Sequence, residues 1–261
     1  MHIKISTGKI LIICNLSAEK NDISELLISM IRIVFITDNK KGHTAMNAEN
    51  IFYRTLRFIF KPIFLLVYRP KIIGAEKIPK NGAVIIAGNH KHALDPILID
   101  ICTKRIIRTL TKKELHDGPF GFVFRGVRAI PVDLHSKENR GALYAAADAL
   151  KDGHAVNLSP EAKRNYTNEL LLPFKFGAVS LSKKTGAPIL PYAIAGDYKL
   201  FSGDLTVMFG EPFYAGDDLE VSNRQLYDSV ADLLRRITDE KILSEKHFTS
   251  FDDWSKNEKT S

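Results

Sequence analysis

Cysteine is scarce in this chain of 261 residues, which has only Cys14 and Cys102. The two stand far apart in unlike surroundings, so they do not form a disulfide framework, and such sparse use is typical of a reducing compartment. Cys102 falls in an apolar stretch and is predicted to be a core residue rather than a nucleophile. No CxxC or HExxH spacing occurs, so a zinc site has little support.

Long apolar runs are also lacking. A helix that spans a bilayer needs about 20 apolar residues, and the nearest approach, residues 23–36, is interrupted by Glu25 and Arg32. No small-residue cleavage site of the kind that ends a signal peptide follows it. We treat residues 1–45 as an N-terminal extension of uncertain status and hypothesise that translation begins naturally at Met46.

The composition is that of a globular protein with an excess of positive charge. Hydrophobic residues make up 45% of the chain and charged residues 26%, which excludes disorder for most of it. The formal net charge is +7, from 37 Lys and Arg against 30 Asp and Glu. Such a balance indicates a polyanionic partner, which could be nucleic acid, an anionic membrane surface or a phosphorylated substrate.

From Pro70 onward, strand-like and helix-like segments alternate. This alternation predicts an α/β fold, a layered domain with a mixed, mostly parallel sheet flanked by helices, over residues 70–240. Residues 241–261 are predicted to be a loosely held polar tail. The predicted strands are 72–78, 83–87, 106–110, 129–132, 155–158, 189–195 and 205–209, and the predicted helices are 96–103, 119–124, 137–151, 174–184 and 223–238.

An amphipathic helical region precedes this domain, at residues 46–69. Its apolar positions recur at helical spacing, and Arg54, Arg57 and Lys61 supply cations. Such a helix can lie in a membrane interface with its cations on lipid phosphates, or it can pack on the domain core; the sequence leaves both open. The expected apolar face comprises Phe52, Leu56, Ile59, Phe60, Ile63, Phe64 and Val67.

Polar residues follow one strand that is predicted to be buried on both faces. Val84, Ile85 and Ile86 form a β-branched run, and open α/β sheets place ligands at the carboxyl ends of such strands. His90 and Asp95 come next. Their spacing of five does not bring two side chains together on a helix, where neighbours are three or four apart, so they are expected to meet through a strand-to-helix turn.

An imidazole held by a carboxylate is the usual way to build a general base. No serine or cysteine lies nearby in sequence as its nucleophile, so the hydroxyl that His90 activates would belong to a substrate. Three alternatives stay open at this point. Asp95, which precedes Pro96, could be only the N-cap of a helix, His90 could be an ordinary loop histidine, and His90, His92 and Asp95 could ligate a metal, which we rank below acid–base chemistry.

The stretch from Asn89 to Asp95 resembles the NHxxxxD motif of the glycerolipid acyltransferases, in particular the 1-acyl-sn-glycerol-3-phosphate (lysophosphatidic acid) acyltransferases. A Gly, an aromatic run and Arg125 resemble the family's second motif, although Leu134 stands where the family often has an arginine. Pro160, Glu161 and Arg164 resemble the third, Pro-Glu-Gly-Thr-Arg, with Ala162 and Lys163 at its Gly and Thr. Residues 190–194 resemble the fourth, and the resemblance covers residues 51–215.

The resemblance implies transfer of a fatty acyl group from acyl-CoA or acyl-ACP to lysophosphatidic acid, which gives phosphatidic acid in phospholipid biosynthesis. It implies His90 and Asp95 as catalytic residues, a substrate-binding set of Arg125, Glu161, Lys163 and Arg164, and no metal or bound cofactor. We expect a membrane surface as partner, at the cytoplasmic face of the cell membrane, and no nucleic acid. The rivals are another lysophospholipid or glycerol phosphate as acceptor, thioester hydrolysis, and a basic membrane- or nucleic-acid-binding module without activity.

Overall fold

Two sheets are present in the computed structural model, which describes residues 45–133 and 140–249. Predictions about the N-terminal extension before residue 45, Leu134 and the end of the tail lie outside these residues. The strands are β1 (Lys71–Ile73), β2 (Val84–Gly88), β3 (Ile107–Lys112), β4 (Ile130–Val132), β5 (Ala155–Leu158), β6 (Glu169–Leu171), β7 (Ile189–Ala195), β8 (Thr206–Phe209) and β9 (His247–Phe248).

The larger sheet has seven strands in the order β1-β8-β7-β2-β5-β3-β4. Every neighbouring pair in it is parallel except β7 and β8. The remaining two strands, β6 and β9, pair with each other. The predicted α/β domain with a mixed, mostly parallel sheet is therefore confirmed.

Helices cover both faces of the larger sheet. A short 3-10 turn also follows β1, at Ala75–Lys77. The α-helices are α1 (Ala45–Tyr68), α2 (Asp95–Ile101), α3 (Lys113–Asp117), α4 (Gly121–Gly126), α5 (Arg140–Lys151), α6 (Gly177–Thr185), α7 (Leu219–Ile237) and α8 (Glu240–Glu245).

Strand β2 lies between β5 and β7, and all five of its residues are buried. Because successive side chains point to opposite faces of a sheet, Ile85 and Ala87 join the core beneath α5, α6 and α7. Val84 and Ile86 join the other core, beneath α1 and α2. A strand with apolar cover on both sides accounts for the continuous hydrophobic run in its sequence.

Several predicted bounds differ from the structure, and two of the differences change how a segment is built. The strand expected over 72–78 ends at Ile73, because Gly74 takes φ +76° and starts the 3-10 turn. The start of the expected tail is not loosely held: it forms α8 and β9. Thr249 also bonds Glu169 and Leu171 through its hydroxyl, at 2.6 and 2.9 Å. The pairing of β9 with β6 joins this segment to the domain.

Helix α1 packs on the domain through one face and exposes another apolar face, so the two alternatives for it are compatible. The packed face holds Phe52, Tyr53, Leu56 and Phe64, each at most 7% exposed. The exposed face shares only Ile63 with the apolar face expected from the periodicity. It carries Ile51, Phe58, Ile63 and Leu66, with exposed fractions from 48% to 81%.

Arg57 is not a free surface cation, contrary to the expectation from sequence. Its guanidinium bonds both carboxylate oxygens of Asp100 on α2, at 3.2 Å each, and also donates to the carbonyl of Arg105. The hydroxyl of Tyr53 donates to the same carboxylate and accepts the backbone N–H of Ile107 at 2.9 Å. This half-buried cluster joins α1 to the domain.

Candidate active site

The carboxyl end of β2 is fixed to β7 by two adjacent residues. Gly88 approaches β7 so closely that a Cβ there would lie 2.2 Å from the carbonyl oxygen of Tyr192, so only glycine fits. The side-chain amide of Asn89 then donates to the carbonyl of Ile194 at 2.9 Å and accepts its N–H at 2.8 Å. The chain leaves the sheet at a defined point, immediately before His90.

His90 and Asp95 meet as predicted through the turn that follows. Nδ1 of His90 lies 2.8 Å from Oδ2 of Asp95, and the His90 side chain remains 25% exposed while the Asp95 side chain is 2% exposed. Because Nδ1 faces the carboxylate, Nε2 is the nitrogen left for a substrate.

Asp95 is not the N-cap of α2, so that alternative is wrong. It is the first residue of that helix, and the N-cap position belongs to Leu94. Its carboxylate points back into the turn instead, where Oδ2 accepts the backbone N–H groups of Lys91 and His92 at 2.8 Å each. The same carboxylate therefore folds the turn and holds the ring of His90.

Tyr198, on the loop after β7, also contacts Asp95. Its hydroxyl donates to Oδ1 at 2.6 Å, and its ring stacks on His92 with centroids 4.3 Å apart. Burial and the nearby carboxylate raise the pKa of Tyr198 well above its usual value, so the hydroxyl stays protonated. Tyr198 is not predictable from sequence, since it lies 103 positions from Asp95 and belongs to none of the four motifs.

The loop after β5 forms hydrogen bonds with the backbone of His90. Oε1 of Glu161 accepts the N–H of His90 at 2.7 Å, and the carbonyl of His90 accepts the N–H of Asn165 at 2.8 Å. Oε2 of Glu161 accepts the N–H of Leu172 at 3.0 Å. Burial raises the pKa of Glu161 to about 7, against the effect of these two backbone donors. Both oxygens of the predicted substrate-binding carboxylate are thus used within the protein.

Ala162, Lys163 and Arg164 lie between these two contacts. Ala162 adopts φ +58°, the left-handed region that favours glycine, and it stands where the motif that this loop resembles has Gly. Lys163 is exposed. The guanidinium of Arg164 lies over the ring of Tyr166, 5.8 Å from its centroid. Arg164 directly precedes Asn165, whose N–H bonds the His90 carbonyl.

Arg125 lies on another element. It occupies the last turn of α4 and donates to the carbonyl of His116 at 2.5 Å. His116 is buried, and its Nε2 lies 2.9 Å from the hydroxyl of Thr111 at the end of β3. The structure thus joins His90, Asp95 and Glu161 by direct contacts, with Lys163 and Arg164 next to them, whereas Arg125 belongs to the segment that follows β3.

The geometry does not support the alternative in which His90, His92 and Asp95 ligate a metal. Nδ1 of His92 accepts the backbone N–H of Leu94 at 3.2 Å, while Nδ1 of His90 faces Asp95. Within residues 45–133 and 140–249, no group of three or more His, Cys, Asp or Glu side chains is placed to hold a metal ion.

Comparison with known proteins gives consistent matches. Residues 69–195 match the family model described as Acyltransferase. A 1-acyl-sn-glycerol-3-phosphate acyltransferase of Borreliella burgdorferi is 29% identical over 146 residues, 55% of this chain and 58% of the relative. One from Bacillus subtilis is 26% identical over 174 residues, 64% of this chain and 84% of the relative. The match thus spans less than two thirds of the first relative's length and most of the second's.

A solved structure has the same fold. The crystal structure of the 1-acyl-sn-glycerophosphate (LPA) acyltransferase from Thermotoga maritima matches with a TM-score of 0.63, covering 81% of this chain and 88% of that one. The two sequences are 19% identical over the match, so the likeness concerns the fold.

Proposed function

We propose that this chain, whose residues 69–195 match the Acyltransferase family model, transfers a fatty acyl group from an acyl thioester to the free hydroxyl of 1-acylglycerol 3-phosphate, giving phosphatidic acid. The observation that carries the proposal is the contact between His90 and Asp95 at the carboxyl end of β2, with the other ring nitrogen left for a substrate. The names of the relatives support the acceptor.

In the proposed reaction, Nε2 of His90 takes the proton from the acceptor hydroxyl as its oxygen attacks the thioester carbonyl. Asp95 fixes the tautomer with the proton on Nδ1 and offsets the charge that develops on the ring. The C–S bond then breaks, and the proton on Nε2 passes to the departing thiolate. The products are the ester and the free thiol of the carrier, with all atoms and charges accounted for.

Arg164 and Lys163 are proposed to hold the phosphate of the acceptor. A guanidinium can bond two phosphate oxygens at once, and a lysine adds a point charge. They lie between Glu161 and Asn165, the two residues that bond the backbone of His90, which supports an acceptor held by both its hydroxyl and its phosphate. Holding both groups orients the acceptor hydroxyl toward the base. Arg125 is proposed as a further phosphate contact. Glu161 is proposed to act by holding the peptide of His90.

The reaction as proposed needs no metal and no bound cofactor. The base comes from His90, and the energy comes from the thioester, which arrives on its carrier as a co-substrate. Both acyl-CoA and acyl carrier protein are candidate donors.

Membrane contact is proposed through the exposed face of α1. Phe58, Ile63 and Leu66 would enter the interface, with Arg54 and Lys61 near lipid phosphates. Among the helices in the described ranges, none is long and apolar enough to cross a bilayer. We propose a peripheral or monotopic association with the cytoplasmic face, where the acceptor lipid would be available.

The test is release of free thiol from acyl-CoA by the full chain, with and without lysophosphatidate, together with identification of the lipid product. His90→Ala is the test variant. His247→Ala is the matched control, because His247 is an exposed histidine on β9. We expect release that needs the acceptor, is lost in His90→Ala and is unchanged in His247→Ala.

Other outcomes separate the rivals. Release that does not need the acceptor would indicate a thioesterase, and release with glycerol phosphate or another lysophospholipid alone would change the acceptor. Absence of release with both acyl-CoA and acyl carrier protein as donors would refute the transferase. Salt-sensitive binding of RNA or DNA would then favour a nucleic-acid-binding module.

A further inference from the structure

The two oxygens of the Asp95 carboxylate have different partners. Oδ2 faces Nδ1 of His90 and the two backbone N–H groups of the turn. Oδ1 accepts the hydroxyl of Tyr198, at 2.6 Å. Rotation of the carboxylate about its Cβ–Cγ bond would change the angle at which Oδ2 meets the His90 ring, and the hydroxyl of Tyr198 opposes that rotation. The orientation of the ring thus depends on a residue outside the turn.

Tyr198 is itself held firmly. Its ring stacks on His92 at an interplanar angle of 24° and meets the rings of Phe64 and Tyr68, on α1, nearly edge-on at 6.3 and 5.6 Å. Nζ of Lys91 donates to the carbonyl of Gly196 in the same loop and lies 3.5 Å from a carboxylate oxygen of Asp197. Packing on α1 and bonds to the turn therefore fix the direction in which the hydroxyl points.

We propose that Tyr198 is a positioning residue for acyl transfer: its hydroxyl holds the Asp95 carboxylate in the orientation in which Oδ2 keeps the proton on Nδ1 of His90 and leaves Nε2 as the base. The inference rests on the proposed function, to which it adds a residue that none of the four motifs contains. Tyr198 need not touch either substrate in this role. Its effect is expected on the chemical step and not on acceptor binding.

The test compares Tyr198→Phe with Tyr68→Phe. Both changes remove one hydroxyl from the same aromatic cluster, but only the Tyr198 hydroxyl bonds Asp95. Steady-state kinetics give kcat and the KM for lysophosphatidate. Proton NMR of protein with ¹⁵N-labelled histidine detects the hydrogen-bonded Nδ1–H of His90, which is assigned by its loss in His90→Ala.

For Tyr198→Phe we expect kcat to fall about tenfold, since a hydrogen bond to a charged group is lost, and KM to stay within about twofold. The Nδ1–H signal should shift or broaden. In Tyr68→Phe, both kcat and the signal should match the wild type.

An unchanged Nδ1–H signal in Tyr198→Phe would overturn the proposal whatever the rate does, because a slower enzyme with an intact signal would show a packing role only. An equal loss of rate in Tyr68→Phe would overturn it as well. If the wild-type chain transfers no acyl group, the proposed function fails, and the signal comparison still decides whether Tyr198 orients the Asp95–His90 pair.

Discussion

Glu161→Gln separates two roles for a residue that the family resemblance assigns to the substrate. The change keeps the shape of the side chain and one carbonyl acceptor. The carboxylate of Glu161 accepts the backbone N–H groups of His90 and Leu172, one on each oxygen. In glutamine, an NH₂ group replaces one of these oxygens and would face one of the two N–H groups, donor against donor. Glutamine can satisfy only one of them, since glutamate offers two acceptors and glutamine offers one.

The size of the effect follows from these contacts. A hydrogen bond to a charged group contributes about 1.5–3 kcal/mol, and a buried donor left unpaired costs about 1–3 kcal/mol. Part of this loss is offset because glutamine buries no charge, and burial already raises the pKa of Glu161 to about 7. We expect the free energy of unfolding to fall by about 2 kcal/mol, which lowers Tm by about 4–8 °C in a chain of this size.

Activity gives the second measurement. If Glu161 positions the peptide of His90, kcat should fall about tenfold with little change in KM, since about 1.4 kcal/mol corresponds to a factor of ten. Glu211→Gln is the control, because Glu211 is exposed and its pair with Lys77 should contribute about 1 kcal/mol or less. A rise in KM for lysophosphatidate with unchanged Tm and kcat would refute this reasoning and would support direct contact between Glu161 and the substrate.

Three further changes test other parts of the molecule. Arg164→Ala should raise the KM for lysophosphatidate about tenfold with little effect on kcat, as loss of a charged hydrogen bond predicts; unchanged kinetics would remove Arg164 from the site. Ala162→Gly should raise the free energy of unfolding, measured in urea, by up to about 1 kcal/mol. The left-handed conformation costs a non-glycine residue about 1–2 kcal/mol, and the greater entropy of glycine in the unfolded state offsets part of the gain. A less stable variant would contradict this. Arg57→Ala should lower the free energy of unfolding by about 1.5–3 kcal/mol, since the half-buried carboxylate of Asp100 loses its charged hydrogen bonds. Arg54→Ala, at an exposed position, should change it by less than about 0.5 kcal/mol, and equal effects would show that the pair of Arg57 and Asp100 adds no stability.

The central strands could be predicted from sequence because burial on both faces leaves an uninterrupted apolar run. β5 and β7 match their predictions to the residue. β6 and β9 were missed because three and two residues carry no periodicity, and only their pairing with each other makes them strands. The start of α7 was placed four residues late, although Asp218 accepts the N–H groups of Glu220 and Val221 as a regular N-cap. That signal was present in the sequence.

Contacts within the turn were predictable, and contacts between distant segments were not. The turn from His90 to Asp95 follows from the end of a buried strand and the proline after Asp95. Tyr198 and the pairing of Arg57 with Asp100 each join segments more than 40 positions apart. Nothing local in the sequence distinguishes Arg57 from the exposed Arg54 one turn earlier, so both were counted as surface cations.

Asn89 is a motif residue whose contacts serve the fold. Its amide continues the hydrogen-bonding pattern between β2 and β7 by one step after β2 has ended, so the chain can turn away without leaving the Ile194 peptide unpaired. A homologue that had lost all activity would still be selected to retain an amide here, as long as it needed to fold. In such a descendant the histidine would be free to drift, whereas the asparagine before it and the aspartate that folds the turn would both still be needed.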